Sequence, residues 1–399
     1  MNQGSVLVLP GGRWQVPLLQ RVAELGYRPV TVNPLQNSPG FAVAHSHLRS
    51  DVLDVDAVLE FAESHEVVAA ITDQSDIAVR TVATIADHLG LPGLGVERST
   101  LFTDKAAMRD HVRALGLPTP LYLVLDRGTT TAEVADRVGF PLVVKPVDGQ
   151  ASRGVTAVGD ADALPAAVHA ALRASRSGRA IAEQLIIGPE ITVEGVVVDG
   201  KYVYLASSRK RHRSSDAMVA DSIVYRHTHE GLPIATAIEH VSKFIESTGV
   251  QFGLSHAELR CSDEGVYLVD VAARGGGNLI SSHVVPAATG VATMDMLIES
   301  ALGHRTRPPK IEPRPGLVAV VWFEFDGGTV FRLEGREEAR RISDVLAFDF
   351  LAGVGDVIGP PKEDSTRHAY AIISAPNDAR LEELILEIRG SLDVEVVAT

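Results

Sequence analysis

The sequence predicts an α/β fold assembled from several α+β modules. Runs typical of helices and runs typical of strands alternate through most of the 399 residues, a pattern that favours sheets covered by helices. Hydrophobic residues make up 45% of the chain, which is enough to build the cores of two or three domains. The first thirty residues also read as a strand, a turn, a helix and a second strand. We therefore expect a βαβ unit at the N-terminus.

The first domain is expected over residues 1–100. Val6 to Leu9 predict a buried strand, and the Pro-Gly-Gly turn after it leads into a helix from Trp14 to Leu25. Such a turn can present backbone N–H groups to an anion. Because the full GxGxxG spacing is missing, a tight turn without any ligand is an equally good interpretation. A Gly/Pro-rich stretch at 88–95 marks the end of this domain.

The second domain is expected over residues 101–305 and a third module over 306–399, where a proline-rich stretch begins. Within the second domain, residues 140–158 predict a strand, a Gly/Ser loop and a second strand. Three strand-like runs follow at 180–210. A further strand pair is predicted at 250–277, with its turn at Ser-Asp-Glu-Gly.

Composition limits the partners of the chain. The net charge is −14 and the isoelectric point is about 5.5, which argues against nucleic acid as a partner. The single cysteine, Cys261, excludes an intramolecular disulfide and a metal site with several cysteines. No apolar run approaches the length of a membrane span, and no leader pattern is visible. We expect a cytoplasmic protein that binds neither nucleic acid nor membrane.

Two lysines are placed where they could meet an anion. Lys105 begins a predicted helix, and Lys145 ends the apolar strand "PLVVK". A lysine at the end of a buried strand is unfavourable unless its ammonium reaches an anion or water. The following "DGQASRGV" is small and flexible enough to fold its backbone N–H groups over phosphates. It is not a Walker A loop.

Acidic residues form a second ordered set. Glu183 ends an apolar run, and Glu190 follows seven residues later. If the turn lies near residues 263–265, Glu258 and Asp270 face each other across two neighbouring strands. Paired carboxylates without histidine or cysteine suit a hard cation such as Mg²⁺ bridged to phosphate. Each residue alone could be an ordinary surface charge, and only their order along the chain favours a site.

In this order the residues resemble the ATP-grasp superfamily, which includes D-alanine–D-alanine ligase, biotin carboxylase and the L-amino-acid ligases. The resemblance covers nearly the whole chain and is carried by "VLPGGRWQ", the "DK" helix, "VVKPVDGQASRGV", "AEQLIIGPEITVEG" and "VDVAARGGG". It implies a three-part architecture, with an N-terminal pre-ATP-grasp Rossmann-like domain, a lid subdomain at about 140–205 and a C-terminal ATP-grasp core. The last module, with "GDVIGPP" and "RHAYAIISA", is similar to that of the amino-acid-ligase branch.

The resemblance implies the following roles. ATP phosphates would contact the two lysines and the loop at 149–154, and adenosine would contact two glutamates and the backbone between them. Mg²⁺ would bind the paired carboxylates, and the glycines after the last strand would line the substrate pocket. The residues implied for nucleotide are Lys105, Lys145, Gly149, Ser152, Arg153, Gly154, Glu183, Leu185, Ile186 and Glu190; for metal Glu258 and Asp270; for catalysis Arg274 and Lys145; and for substrate Arg274, Gly275, Gly276, Asn278 and His283.

The chain departs from the family pattern at one position. The family reads Glu-x-Asn-x-Arg on the second metal strand, whereas this chain has Asp270, Ala272 and Arg274. Alanine has no oxygen to offer a metal, so one ligand is missing. Since Mg²⁺ commonly keeps several waters, we expect one tight and one weak metal site.

The function that follows is an ATP-dependent carboxylate–amine ligase, which forms an amide through an acyl phosphate and releases ADP and phosphate. The alternatives are a bicarbonate-using carboxylase of the carboxyphosphate type and a degenerate nucleotide-binding protein. The cofactors would be ATP and Mg²⁺, and the substrates a small-molecule carboxylate and an amine. Residues 207–229, rich in Arg and Lys, could cover the substrate or be a solvated loop. A homodimer is an expectation from the family alone.

Overall fold

The computed structural model describes residues 4–150, 152–212, 220–361 and 366–398. The chain begins with a four-stranded parallel sheet, in the order β3-β2-β1-β4. Parallel strands need crossover connections, and the predicted strand–helix–strand start supplies the first of these. The strands are β1 (Ser5–Val8), β2 (Arg28–Val32), β3 (Ser46–Leu48) and β4 (Val67–Ile71).

Three helices cover this sheet. They are α1 (Val16–Glu24), α2 (Val55–Ser64) and α3 (Asp76–Leu89). The first begins two residues later than predicted, because Arg13–Gln15 form a single 3-10 turn. Gly90 ends α3 with a left-handed backbone, φ +66°, a conformation that glycine adopts without strain.

Two short helices lead out of the first domain. They are α4 (Val96–Thr103) and α5 (Lys105–Ala114). The Asp104 side chain accepts the N–H groups of Ala106 and Ala107, and this cap fixes the start of α5 at Lys105. The linker lies at residues 90–95, as the Gly/Pro-rich stretch predicted, whereas the boundary predicted at residue 100 falls inside α4.

A separate antiparallel sheet forms the next unit, in the order β5-β8-β6-β7. The predicted hairpin at 140–158 is confirmed, since Leu142 pairs with Val158. This sheet ends at residue 184, so the predicted lid range of 140–205 begins too late for the sheet and runs into the next one. The elements are β5 (Tyr122–Leu125), α6 (Thr131–Arg137), β6 (Leu142–Pro146), β7 (Thr156–Val158), α7 (Leu164–Ala174) and β8 (Ala180–Gln184).

The largest sheet has eight strands and crosses the boundary predicted at 305–306. Its order is β13-β12-β9-β10-β11-β14-β18-β16, and the crossing occurs where Val224 pairs with Ala319. Its strands are β9 (Glu190–Val198), β10 (Lys201–Arg211), β11 (Ser222–Arg226), β12 (Gly253–Ser262), β13 (Gly265–Ala272), β14 (Leu317–Phe323), β16 (Val345–Phe350) and β18 (Ala369–Ala375). The helices between them are α8 (Ile234–Ser247), α9 (Val285–Thr289) and α10 (Thr293–Ala301).

The remaining C-terminal elements pack on the far end of this sheet. A three-stranded sheet in the order β17-β15-β19 lies beside two helices. Leu381 and Leu384 of the longer helix join Phe323 and Phe348 in one buried cluster. The elements are β15 (Gly328–Glu334), α11 (Arg336–Arg341), β17 (Val357–Ile358), α12 (Asp378–Ser391) and β19 (Asp393–Val397).

The predicted α/β class is confirmed by this arrangement of mixed sheets and helices. The N-terminal sheet sits against the large sheet, because Val6 and Ile71 share a buried cluster with Val320 and Ile372. Within the described ranges, no helix combines the length and apolar character needed to cross a bilayer.

Candidate nucleotide and substrate site

One cleft of about 520 Å³ lies where the sheets meet. Its wall is built by side chains from every part of the chain, including Trp14 of the N-terminal domain, Lys145 of the small sheet, Glu258 of the large sheet and Trp322 beyond residue 306. A cleft of this size at a junction of domains is typical of a small-molecule site.

Lys145 and Glu183 form a buried ion-pair triad with a residue that the sequence analysis missed, Arg109. Nζ of Lys145 lies 2.6 Å from Glu183 Oε2, and Nε of Arg109 lies 2.5 Å from Glu183 Oε1. Burial alone would raise the pKa of Glu183, but the two cations outweigh it and hold the pKa at about 2. Burial lowers the pKa of Lys145 despite Glu183. Glu183 therefore shares its two oxygens between Arg109 and Lys145.

Lys105 begins α5, the helix that also carries Arg109. Its ammonium is 3.1 Å from Asp270 Oδ2 and donates to the carbonyl of Gly149 at 3.0 Å. Burial would lower the pKa of Lys105, but Asp270 and Asp76 raise it above its usual value. The charged ammonium therefore lies between the glycine loop and β13, the strand that carries the predicted metal ligand Asp270.

The glycine loop is shaped for close approach at its far end. Gly154 has φ +70°, and a Cβ there would lie 2.6 Å from that of Ala174. Gly149 and Ser152 line the cleft, together with Gln150. Arg153 is exposed, and neither Arg153 nor Gly154 is among the described residues of the cleft wall. Residue 151 of the predicted loop lies outside the described part of the chain.

The predicted adenosine residues follow β8. Leu185 and Ile186 both line the cleft, and the N–H of Leu185 is donated to Pro141 at 3.0 Å. Ile186 is therefore the candidate of the two for a backbone contact to a base. Glu190 begins β9, where its carboxylate meets Lys210 Nζ at 2.6 Å and Arg260 Nη2 at 2.8 Å.

The predicted pairing of Glu258 with Asp270 is confirmed. The two residues are direct partners in the β12–β13 register, because the turn lies between Ser262 and Gly265, as predicted. Each of the two carboxylates is paired with a lysine ammonium group. Glu258 meets Lys210 at 2.7 Å, and Asp270 meets Lys105.

Lys210 bridges Glu190, which is predicted to bind ribose, and Glu258, which is predicted to bind metal. Burial would lower the pKa of its ammonium, but Glu190 and Glu258 raise it well above the usual value. One positive charge of the cleft wall thus holds two carboxylates together. Lys210 lies in the segment 207–229, which was predicted either to cover the substrate or to be a solvated loop, and its contacts with these residues were not predicted.

Ala272 is buried, and its partner across the strand pair is His256. Nδ1 of His256 lies 2.7 Å from Glu194 Oε1, and Nε2 lies 3.6 Å from Glu258 Oε1. Burial would lower the pKa of His256, but these carboxylates raise it to about 9. Ala272, which has no side-chain oxygen, is thus paired with the positively charged His256 rather than with a further metal ligand.

Arg274 lines the cleft and is held from the N-terminal domain. Its Nε and Nη2 atoms form a two-point ion pair with Asp76, at 2.8 and 2.5 Å. Burial would lower the pKa of Arg274, but Asp76 keeps it above the usual value. Asp270 and Arg274 both border the cleft.

The predicted substrate residues divide into two groups. Asn278 lines the cleft together with Gly277. Gly275 and Gly276 are buried behind the wall, where a Cβ on Gly276 would lie 2.6 Å from Ile280 Cγ2. Close packing therefore explains these glycines without a substrate contact.

The structure does not bring His283 to the wall. It lies on a π-helical turn, its Nδ1 is paired with the neighbouring Ser282 Oγ at 2.8 Å, and burial lowers its pKa. The predicted covering segment at 207–229 is largely two paired strands, since Ser208 pairs with Tyr225. Its residues 213–219 lie outside the described chain.

With this geometry in place, the sequence can be compared with known proteins. Residues 138–283 match the family described as ATP-grasp domain. This part of the chain is an ATP-grasp domain. Residues 321–397 match a second family, described as L-amino acid ligase C-terminal domain 2, so Trp322 and Arg367 of the cleft wall belong to that domain.

Individual relatives agree with this assignment. A D-alanine–D-alanine ligase of Ralstonia pickettii is 40% identical over 114 residues, which are 28% of this chain and 34% of the ligase. The match thus spans about a third of that relative. An uncharacterized protein y4rH of Sinorhizobium fredii is 25% identical over 366 residues, 86% of this chain and 72% of that one. The structure of an L-amino acid ligase from Bacillus licheniformis superposes over 100% of both chains with a TM-score of 0.83 and 21% identity.

Proposed function

We propose that the protein is an ATP-dependent carboxylate–amine ligase that releases ADP and phosphate. The observation that carries the proposal is the meeting of Lys105, Lys145, Glu258, Asp270 and Arg274 in one cleft. A carboxylate is a poor electrophile, and a phosphoryl group from ATP turns it into an acyl phosphate with a good leaving group. Positive charges that position and neutralise the phosphates are what this step needs from a protein.

The roles of the nucleotide residues follow from their surroundings. Lys145 and Lys105 are placed to meet phosphate oxygens, and the backbone of the 149–154 loop is placed to close over them. Glu190 suits the ribose hydroxyls, provided that Lys210 and Arg260 share its two oxygens. Glu183 is tightly paired with Arg109 and Lys145, so we assign it first to positioning Lys145. It can contact adenine only if one of these ion pairs opens.

Mg²⁺ fits the paired carboxylates. Among the described residues no cluster of three or more His, Cys, Asp and Glu side chains is arranged to hold a metal ion, so the protein would supply Glu258 and Asp270 and the phosphates and waters would complete the shell. Bound there, Mg²⁺ would neutralise phosphate charge as it is transferred. His256 faces the place where the family has an asparagine, and its positive charge disfavours a second tight ion.

Arg274 is placed to stabilise the acyl phosphate and the oxyanion that forms when an amine attacks it. The pair with Asp76 fixes its orientation. No acyl-enzyme is required in this scheme, and Cys261 is buried with its pKa raised by burial, which makes its thiol a poor nucleophile.

The test supplies ATP and Mg²⁺ with pools of carboxylates and amines, and follows phosphate release and product mass. A ligase releases ADP and phosphate only when a carboxylate and an amine are both present, and it forms the condensed product. Background release with every pool would refute the proposal. ADP formation that depends on bicarbonate and needs no amine would favour the carboxylase instead.

A further inference from the structure

Helix α3 begins at the cleft without a cap from its own N-terminal residue. Ser75 precedes the first helical residue, Asp76, but the Ser75 side chain accepts no hydrogen bond from the helix. The first N–H groups of an α-helix have no partner within the helix, and a side-chain oxygen commonly accepts one of them. Since Ser75 and Asp76 both line the cleft, another segment of the cleft wall can supply this oxygen.

Gln150 of the glycine loop caps α3 in place of Ser75. The N–H of Ile77, the second residue of α3, is donated to Oε1 of Gln150 at 3.1 Å, although the two residues are 73 positions apart. The following N–H, that of Ala78, is donated to the backbone carbonyl of Ser75 at 3.2 Å. The N-terminal domain thus receives a helix cap from the loop between β6 and β7, and the cap exists only while the loop lies against the helix.

The first turn of α3 also holds Arg274. Asp76, the first residue of the helix, forms the two-point ion pair with the Arg274 guanidinium. Lys105, whose positive charge Asp76 also stabilises, donates to the carbonyl of Gly149 at 3.0 Å. Two successive loop residues, Gly149 and Gln150, therefore contact groups that lie next to Asp76 in the chain or interact with its charge.

We propose that Gln150 is a positioning residue, which links ATP phosphates at the glycine loop to the orientation of Arg274. Phosphates bound by the loop hold Gln150 against α3, the cap orders the first turn of the helix, and that turn holds Asp76 and its partner Arg274. The inference rests on the proposed function, because it takes the loop as the place where ATP phosphates bind. Arg274 is then fixed most firmly when the nucleotide is bound.

Hydrogen exchange of the full chain tests this link, with and without Mg²⁺ and a non-hydrolysable ATP analogue. The measured quantity is the exchange rate of the Ile77 amide, whose acceptor is Gln150. In the wild type the nucleotide slows this exchange about fivefold, which is the usual effect of one helix cap.

Two variants locate the link at Gln150. Gln150→Ala removes the acceptor, so the nucleotide no longer slows the exchange of the Ile77 amide, although calorimetry shows that the nucleotide binds. Gln150→Glu keeps an acceptor at the same reach, and at saturating nucleotide the slowing returns. The control is Gln251→Ala, which removes an exposed glutamine outside the described cleft wall. This control keeps the full effect of the nucleotide.

A second measurement follows Arg274 itself. The ¹⁵N NMR signal of its Nε–H group, which is identified by its absence in Arg274→Lys, reports on the ion pair with Asp76. The nucleotide slows the exchange of this N–H with water in the wild type and in Gln150→Glu, but not in Gln150→Ala. A contribution of Gln150 to stability alone would not depend on the nucleotide, so this difference distinguishes positioning from a structural role.

An Ile77 amide that the nucleotide does not protect in the wild type overturns the inference, and so does full protection in Gln150→Ala. Gln150→Met, which keeps the length of the side chain without its polar atoms, takes the place of Gln150→Ala if that variant does not fold. The ligase proposal is judged separately by phosphate release. Protection of Ile77 without phosphate release under any pool refutes the ligase and retains the link, whereas phosphate release without protection does the reverse.

Discussion

Lys210 is predicted to prevent Mg²⁺ from binding before the nucleotide does. Its ammonium holds Glu258, one of the two proposed metal ligands, at 2.7 Å. A divalent cation must displace this ammonium to reach the carboxylate, unless ATP phosphates offer the ammonium a new partner. We therefore expect Lys210→Met to bind Mg²⁺ more tightly than the wild type when no nucleotide is present.

The distance sets the size of the effect. At 2.7 Å two unit charges attract by about 1.5 kcal/mol in the dielectric of water and by about 6 kcal/mol at an effective dielectric of about 20. The Glu258 side chain is 29% exposed, and the desolvation of both groups offsets part of the attraction. We take the lower figure, which corresponds to about a tenfold gain in metal affinity.

The assay is a titration of the nucleotide-free protein with Mg²⁺ by calorimetry, repeated with Mn²⁺ by electron paramagnetic resonance. Lys201→Met is the matched control, since Lys201 lies on the same strand and pairs with Glu246 at 3.1 Å on the surface. The control should bind metal like the wild type. An unchanged metal affinity in Lys210→Met, or tight Mg²⁺ binding by the nucleotide-free wild type, would refute the reasoning.

Three further predictions concern stability and metal number. Arg109→Met leaves the buried Glu183 with one cation and removes the donors to two backbone carbonyls, so we expect a loss of about 3–5 kcal/mol in urea denaturation; a loss below 1 kcal/mol would contradict the triad. Ala272→Asn restores an oxygen on the metal strand and should raise the apparent Mg²⁺ affinity of the ATP-analogue complex in calorimetry; no change would mean that Ala272 is not the missing ligand. Hydrogen bonds from Arg226 and Arg211 hold the pKa of Asp378 at about 2, below its usual value, so this contribution to stability is present above about pH 4 and is lost as the pH falls towards 2. Asp378→Asn should lower the free energy of unfolding at pH 7 by about 0.5–1 kcal/mol and weaken its acid dependence; an unchanged acid profile would count against the ion pair.

Local patterns in the sequence were sufficient to predict the β12–β13 hairpin. The turn at 262–265 is short, and a short turn fixes the register of the strands on either side. Glu258 and Asp270 could therefore be paired correctly without knowledge of the sheet. The hairpin at 140–158 was predicted from equally local signals.

Contacts between distant segments could not be predicted in this way. The contact of Lys210 with Glu258 depends on β9 lying between β10 and β12, and no single sequence pattern determines that order. Arg274 and Asp76 are separated by 198 residues. Arg109 is the exception, since it lies four residues after Lys105 on a helix and so shares its face; that spacing could have revealed it.

The boundaries of the modules could not be predicted from local sequence patterns either. Proline and glycine mark where helices and strands stop, but they do not tell whether a later strand rejoins an earlier sheet. β14 rejoins β11 across the proline-rich stretch. For this reason the C-terminal domain contributes Trp322 and Arg367 to a cleft that the sequence had assigned to the central domain alone.

The central claim is that a carboxylate is activated by phosphorylation in this cleft. The most direct measurement uses a carboxylate that supports phosphate release, labelled with ¹⁸O in both carboxyl oxygens. If an acyl phosphate forms and an amine attacks it, one ¹⁸O passes to each phosphate released, and ADP is the nucleotide product. Unlabelled phosphate, or AMP with pyrophosphate, would contradict the account.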